Sequence, residues 1–451
     1  MQKTVVIDIV GLSSSLIGDF TPFLRQYVAK RSLHTITPML PAVTTSVQST
    51  FVTGKWPSQT GIVSNGWYDR EDSEVKFWKQ SNKLVHGEKI WDKAKKADPS
   101  FTCSKMFWWY NMYSTADYSV TPRPNYLADG RKMPDCYSHP PQLRDYLQKE
   151  LGEFPLFQFW GPGANIKSTQ WIADASILTD NAYNPTLTLI YLPHLDYGLQ
   201  KFGQDLALMK QDLLDIDKVV EKLVSHYSRN GAKVILLSEY GITNVSRPVY
   251  LNRVLREAGL LQVRVERGLE LLDPGASRAF AVADHQVAHV YVNDPSSMAK
   301  VREVLEKTSG VELVLDREAQ RAYHIDHDRS GDFVLMSDER SWFCYYFWLD
   351  DAVAPDYSRV VDIHKKPGYD PVELFMTSKL RAGYKLLRKK SGLRYVMDVI
   401  PLDATLVKGS HGRINVPTAF RPVLVTDTPQ QKAEISSIDI HDLIARELGL
   451  P

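Results

Sequence analysis

Thr44 and Thr45 sit in the stretch 41–65, which reads PAVTTSVQSTFVTGKWPSQTGIVSN. The pair follows a proline-closed loop and opens a short apolar-periodic segment, residues 47–52, that Gly54 can end. Thr45 with Gln48 three residues on matches a capping box, which sets Thr44 at a helix N-terminus. Unpaired N–H groups and the helix dipole favour an anion there. A hydroxyl in that place, beside a cation, can ionise and attack phosphorus. The alternative is that both threonines only cap the helix.

Three acids change the balance. Asp8 closes TVVID, Asp196 closes LTLIYLPHLD and Glu239 closes KVILLSE. In an open α/β sheet, ligands bind outside the carboxyl ends of the strands. Carboxylates gathered in one such crevice need cations to stay ionised, so the three together point to a metal site. His411 lies in VKGSHG, where neighbouring glycines let the backbone turn tightly and free the ring to face a ligand. A solvated loop histidine is the other reading. Asp362 and His364 in RVVDIH stand two apart, so a strand would aim both at one face as further ligands. A surface polar pair is the more usual reading. His194 is a weaker candidate, and His285 and His289 read as a packed strand face. Asp326, His327 and Asp328 read as a loop.

These side chains need a scaffold, and the chain has one. Residues 4–10 are β-branched and continuous, as in a strand buried on both faces of a parallel sheet. Helix is expected over 20–30, then an extended run over 33–39 leading into the threonine loop. From 67 to 185 periodicity fades into Trp, Tyr, Pro and Asn, which reads as an irregular cap over the sheet's carboxyl edge, or as an aromatic packing layer. Alternation resumes with strands at 187–192 and 233–237 around an amphipathic helix at 203–229. A strand at 279–292, a helix at 301–307 and a strand at 311–315 follow, then an antiparallel pair at 332–336 and 341–349. The pattern predicts a single α/β domain over 1–451, with a mostly parallel sheet flanked by helices and 67–185 as a cap within it.

At 451 residues, with 43% hydrophobic and 24% charged side chains, the composition is that of a globular protein. Net charge is +1, so no general attraction to nucleic acid or to an anionic membrane is implied. Three scattered cysteines, Cys103, Cys136 and Cys344, make neither a disulfide framework nor a cysteine zinc site. No apolar run approaches the length of a membrane span. A soluble, cytoplasmic protein is expected; oligomeric state is not legible.

The spacing of Asp8, Pro41-x-x-Thr44, Thr53-Gly54, Pro57, Gly61-Ile62 and Asn65 resembles the alkaline phosphatase superfamily. The branch of nucleotide pyrophosphatase/phosphodiesterases and phosphonoacetate hydrolases is the nearest match. Similarity continues through 196–203, 238–241, 329–332 and 409–412. The resemblance implies two divalent ions, usually zinc, with Asp8 and Thr44 on one and Asp196 and His411 on the other. It also implies that Asn65 donates to a phosphate oxygen, in an oxyanion role. Two departures stand out. The family's Ser-Asp-His-Gly is here Ser238-Glu239-Tyr240-Gly241, and Gln200 stands where the family has a histidine. Oxygen-rich ligands shift the expected metal towards magnesium or manganese. The expected function is metal-dependent hydrolysis of a small phosphodiester, pyrophosphate or phosphonate through a threonine nucleophile. A hydrolysis-deficient binding protein and an altered phosphoryl-transfer enzyme are the alternatives.

Overall fold

Every side chain of Thr4–Ile9 is buried. A strand with no polar face must be covered on both sides, so it belongs in the middle of a sheet. The computed structural model, which describes residues 1–428 and 434–450, places it there. Among the described residues the main sheet has nine strands. In spatial order they are Glu434–Ser436, Ser32–Thr37, Val423–Thr426, Lys233–Leu237, Thr4–Ile9, Leu187–Leu192, Cys103–Met106, Tyr118–Pro122 and Cys136–His139. From Lys233–Leu237 to Tyr118–Pro122 the strands run parallel. Val423–Thr426 and Cys136–His139 run antiparallel to their inner neighbours.

Alternate residues of the central strand feed two cores. Val5, Ile7 and Ile9 join the core that holds Leu213, Ile216 and Val220 of helix Leu206–Arg229. Val6 faces the other way, with Val47 and Phe51 of helix Thr44–Thr53 and Ile440 and Leu443 of helix Ile440–Leu448. Each such side chain contributes roughly 1.5–3 kcal/mol relative to exposure. The nucleophile candidate is thus carried on a helix clamped to the sheet. Gly54 ends that helix in a left-handed conformation, φ 62°, as its position in the sequence suggested.

Beside this α/β body lies an antiparallel sheet in the order Ala279–Asp284, Val287–Val292, Phe333–Ser337 and Val311–Leu315. Its apolar face makes a separate core with Trp342, Phe343 and Tyr345.

Several expectations are corrected. Residues 67–185 are no irregular cap: they supply three strands of the main sheet and the helices Pro141–Leu151 and Ile166–Tyr183. Those strands are four or five residues long, too short to show a period. The run 279–292 is a hairpin, broken by the polar triplet Asp284-His285-Gln286. Phe333–Ser337 does not pair with Ser341–Phe343, which instead runs parallel to Arg247–Val249. Around Asp362 and His364 the chain turns and forms no strand. Among the described residues no helix is long and apolar enough to cross a membrane.

Candidate active site

Asp8 lies level with Leu237 on one neighbouring strand and Tyr191 on the other. Glu239 follows that Leu237 by two residues, so the register alone brings two carboxylates to one edge. Ser238 pins the turn by donating to the Leu12 carbonyl (2.6 Å) and accepting from Val423 N–H (2.9 Å). Gly241 must be glycine, because a Cβ there would overlap the Phe420 carbonyl oxygen. Asp8 and Glu239 are both fully buried. Burial pushes the Asp8 carboxyl well up, with the nearby Glu239 charge adding to it, and burial raises Glu239 as well.

Gln48 stands over this pair. Its amide donates to Asp8 Oδ2 (3.5 Å) and to Glu239 Oε1, while its oxygen accepts from Trp109 N–H (2.8 Å). The expected capping box is therefore not made. Val43 is the cap residue, with no side-chain cap bond, and Thr44 is the first residue of the helix. Thr45 Oγ1 donates instead to the Ser64 carbonyl (3.0 Å). A buried acid pair is a stronger partner for an amide than a backbone N–H that other groups can satisfy. Here Asn65 Oδ1 accepts from Thr45 N–H (3.1 Å).

Asp196 does not close a strand. Leu187–Leu192 ends earlier, and Asp196 lies in the first turn of helix His194–Phe202. Gln200, one turn on, donates to Asp196 Oδ2 (2.6 Å), and the Tyr240 hydroxyl donates to Oδ1 (3.3 Å). Burial, with Glu239 adding to it, lifts this carboxyl to about 7. The Thr44 hydroxyl lies 3.1 Å from the Tyr240 hydroxyl.

Tyr240 is also the first of four rings in a contact series, stacked at both ends and tilted by 37° between the two histidines. It lies on His411 (3.5 Å between centroids, 6°), His411 on His285 (3.7 Å), and His285 on Tyr369 (3.7 Å). Tyr369 in turn donates to Gln200 Oε1 (3.0 Å). His411 Nδ1 faces the Ala42 carbonyl (2.8 Å), and its carbonyl accepts from Gln286 N–H (2.9 Å), which draws the 285–286 turn alongside. Burial, reinforced by His285, holds the His411 ring well below its usual range, so it is neutral. Its Nε2 lies 3.8 Å from Asp196 Oδ1 and has no hydrogen-bond partner.

Asn65 is held by a residue the sequence reading passed over. Asp284 accepts from Asn65 N–H (2.9 Å), Asn65 Nδ2 (3.2 Å) and Ser64 Oγ (2.5 Å), and lies 2.7 Å from His285 Nδ1. Burial pushes Asp284 up, but His285, Ser64 and Asn65 together outweigh it and hold the carboxyl below its usual range. His285 takes a left-handed conformation, φ 59°, at the hairpin turn. A polar Asp-His-Gln triplet inside an apolar run can hint at a turn between strands, but it says nothing of the partners that Asp284 and His285 meet.

The structure brings together Asp8, Thr44, Asn65, Asp196, Glu239 and His411. His364 is elsewhere on the cleft wall, and Asp362 is not part of the lining. Asp362 faces Lys365 (3.7 Å) and His364 Nδ1 faces the Phe77 carbonyl (3.3 Å), so neither joins the acid cluster. His289 is a packed strand histidine, between the Val63 carbonyl and Gly331 N–H, both at 3.0 Å.

The cluster offers a cation one half-site. Asp8 Oδ1 and Glu239 Oε2 are buried without a hydrogen-bond partner. Among the described residues no Lys or Arg pairs with either. With Thr44 Oγ1 they form an oxygen-only donor set, which suits magnesium or manganese better than zinc. At the second pair, Asp196 already accepts from Tyr240 and Gln200, while His411 Nε2 is without a partner. Among the described residues no three His, Cys, Asp or Glu side chains assemble as a cage. Thr44, Asp196, Tyr240 and His285 line a cleft of about 1840 Å³, whose walls include Trp67, Trp78, Trp109 and Trp160.

Known proteins resemble this chain in sequence and in fold. The chain is 26% identical over 269 residues to an uncharacterized pyrophosphatase/phosphodiesterase of Schizosaccharomyces pombe, covering 56% of this chain and 48% of that protein. It is 22% identical over 385 residues to ectonucleotide pyrophosphatase/phosphodiesterase 2 of Saccharomyces cerevisiae, covering 80% and 68%. The chain thus spans about half the length of the first relative. Murine ectonucleotide pyrophosphatase/phosphodiesterase 5 shares the fold at a TM-score of 0.62 and 16% identity, over 100% of this chain and 96% of that one. An inactive threonine-to-alanine variant of that mouse protein, in complex with AMP, gives 0.59 at 16% identity, over the same shares. Phosphonoacetate hydrolase from Sinorhizobium meliloti 1021, in complex with phosphonoformate, gives 0.60 at 14%, over 99% and 96%. The fold is alkaline phosphatase-like, as the spacing of its residues implied. A family model matches residues 4–370, and the chain belongs to the type I phosphodiesterase / nucleotide pyrophosphatase family.

Proposed function

We propose that this protein hydrolyses phosphodiester or pyrophosphate bonds of a small molecule, with Thr44 as nucleophile. The observation that carries this reading is the contact between Thr44 and Tyr240, 3.1 Å, in a chain of hydroxyls that ends on Asp196. Thr44 Oγ1 passes its proton to the Tyr240 oxygen as the Tyr240 proton moves to Asp196 Oδ1. Burial gives that carboxyl an affinity for protons near neutrality, which suits a general base. The freed Thr44 oxygen attacks phosphorus as the bond to the leaving oxygen breaks on the opposite side, and that oxygen takes its proton from solvent.

Asn65 spends one amide hydrogen on Asp284, and the other is available to a phosphoryl oxygen. Water then attacks the phospho-threonine and gives its proton to His411 Nε2, while Nδ1 stays tied to Ala42. The bond from phosphorus to Thr44 Oγ1 breaks, Asp196 returns its proton to Thr44 through Tyr240, and His411 gives its own to solvent. Asp8, Glu239 and Thr44 would hold one divalent ion, which supplies positive charge against the phosphoryl oxygens. One ion is proposed where the resemblance implies two, because Asp196 already accepts from Tyr240 and Gln200. The AMP complex of the mouse variant, made inactive by loss of a threonine, supports both the nucleophile and a nucleotide-sized ester.

The rival reading, a binding protein without turnover, draws on the same saturated Asp196. A screen of phosphomonoesters, diesters and pyrophosphates with magnesium, manganese or zinc separates the two. Turnover with a covalent adduct on the Thr44 peptide supports the hydrolase. Tight binding of an ester without turnover or adduct under any metal rejects it.

A further inference from the structure

Helix Lys379–Lys390 buries only Ala382 against the rest of the protein. Leu380 is 88% exposed, Leu387 63% and Tyr384 56%. At about 3.6 residues per turn these three share one side, roughly opposite Ala382. Arg381 and Arg388 follow one flank of that apolar stripe, and Lys379 and Lys390 the other. Exposed Leu393 and Val396 extend the apolar surface into the next loop. Between 379 and 398 there are seven Lys or Arg and a single acid, Asp398. Asp398 is taken by Arg381 and Lys385, so Lys379, Arg388, Lys390 and Arg394 have no acidic partner among the described residues. A net charge of +1 for the whole chain conceals this local excess. Leu386, Lys389 and Leu393 also line the mouth of the cleft that holds Thr44.

We propose that this helix docks the mouth of the cleft on an anionic lipid surface. An apolar stripe pointing away from the body, flanked on both sides by Lys and Arg, is the pattern of a helix lying in the headgroup region. The stripe enters the acyl boundary and the cations meet anionic headgroups. A second copy of this chain is a poor occupant, because a symmetric contact would press two basic strips together. Nucleic acid fits less well, since the apolar residues hold the centre of the face and the cations its margins. The docking is peripheral, and it stands whether or not the proposed hydrolysis is right.

Sedimentation of the full chain with vesicles tests this. One set is phosphatidylcholine alone and the other a mixture with phosphatidylserine. The wild type should sediment with the mixed vesicles and at least about tenfold less with the neutral ones, and lose binding in high salt. Leu380→Ser with Leu387→Ser should reduce binding to mixed vesicles about tenfold or more, as should Lys379→Glu with Lys390→Glu. All four positions are at the surface, so the melting temperature of both variants should stay at the wild-type value. Failure of the wild type to sediment with mixed vesicles overturns the proposal, and so does equal sedimentation of wild type and both variants. A wild-type dimer that the leucine variant splits, with no lipid binding, assigns the stripe to self-association and also overturns it.

Discussion

The Tyr240 hydroxyl stands 3.1 Å from Thr44 Oγ1 and 3.3 Å from Asp196 Oδ1, so one phenol joins the hydroxyl at the helix start to the carboxylate across the site. Tyr240 occupies a position where related chains are expected to carry a metal-binding imidazole. A phenol buried this way is held far above its usual pKa, so it cannot serve as a ready anionic ligand. It can still move a proton in step. Tyr240→Phe keeps the ring stacked on His411 and removes only the oxygen. The chemical step should then slow by about 10²-fold or more, with folding little changed. Rapid-quench measurement of adduct formation on Thr44 checks this; an unchanged rate would remove Tyr240 from the mechanism.

Thr44 and Thr45 should separate cleanly. Thr44 makes no cap bond, so Thr44→Ala costs its contacts to Tyr240 and Glu239, about 1–2 kcal/mol, and should abolish turnover. Thr45→Ala leaves the buried Ser64 carbonyl without its donor and should cost about 1–3 kcal/mol while most activity survives. Urea titration beside steady-state assay of the same two variants reads both effects. Equal activity in wild type and Thr44→Ala would leave the threonine no chemical role.

How much of this was legible depended on range. Runs with an unbroken pattern, such as Thr4–Ile9, Leu187–Leu192 and Leu206–Arg229, announce themselves because burial dictates each residue locally. Cys103–Met106 and Cys136–His139 are too short for that, and the sheet register recruits them from afar. Gln48 shows the same limit inside the site. Its spacing from Thr45 spells a capping box, yet its amide serves an acid pair formed by residues 8 and 239. Asp284 and His285 were hidden for a related reason. Their partners Ser64, Asn65 and His411 are more than one hundred residues away in the chain, so no local spacing announces them.

Asp284 should behave as a positioning residue. It orients Asn65 and His285 at once, and all its partners are buried. Asp284→Asn turns one acceptor oxygen into a donor facing other donors, which should cost about 1–3 kcal/mol. The rate should also fall, by roughly tenfold or more, as the Asn65 amide loses its aim. Comparing Asn65→Ala with the double variant tests the coupling. If the two losses add, Asp284 does not act through Asn65.

The last expectation concerns pH and a lysine under the site. Lys105 Nζ is fully buried, donating to the carbonyls of Trp109 (3.3 Å) and Tyr110 (3.1 Å), and lies 4.8 Å over the Trp91 ring. Burial drives its pKa down to about 7, against about 10.4 in an unfolded chain. Between those values the unfolded chain binds a proton that the folded one releases. Stability therefore rises with pH across the window, by at most roughly 1.4 kcal/mol per unit, and below about 7 the burial penalty is complete. Lys105→Met keeps the length of the side chain and removes the proton. Urea midpoints of wild type minus variant should climb from about pH 7 to about pH 9, the two curves converging or crossing there. The loop that Lys105 holds also presents Trp109 N–H to Gln48, so Lys105→Met should loosen the acid pair and weaken manganese-induced thermal stabilisation. Parallel stability curves across that range would show that Lys105 keeps an ordinary pKa, and would leave the loop's hold on Gln48 to its backbone alone.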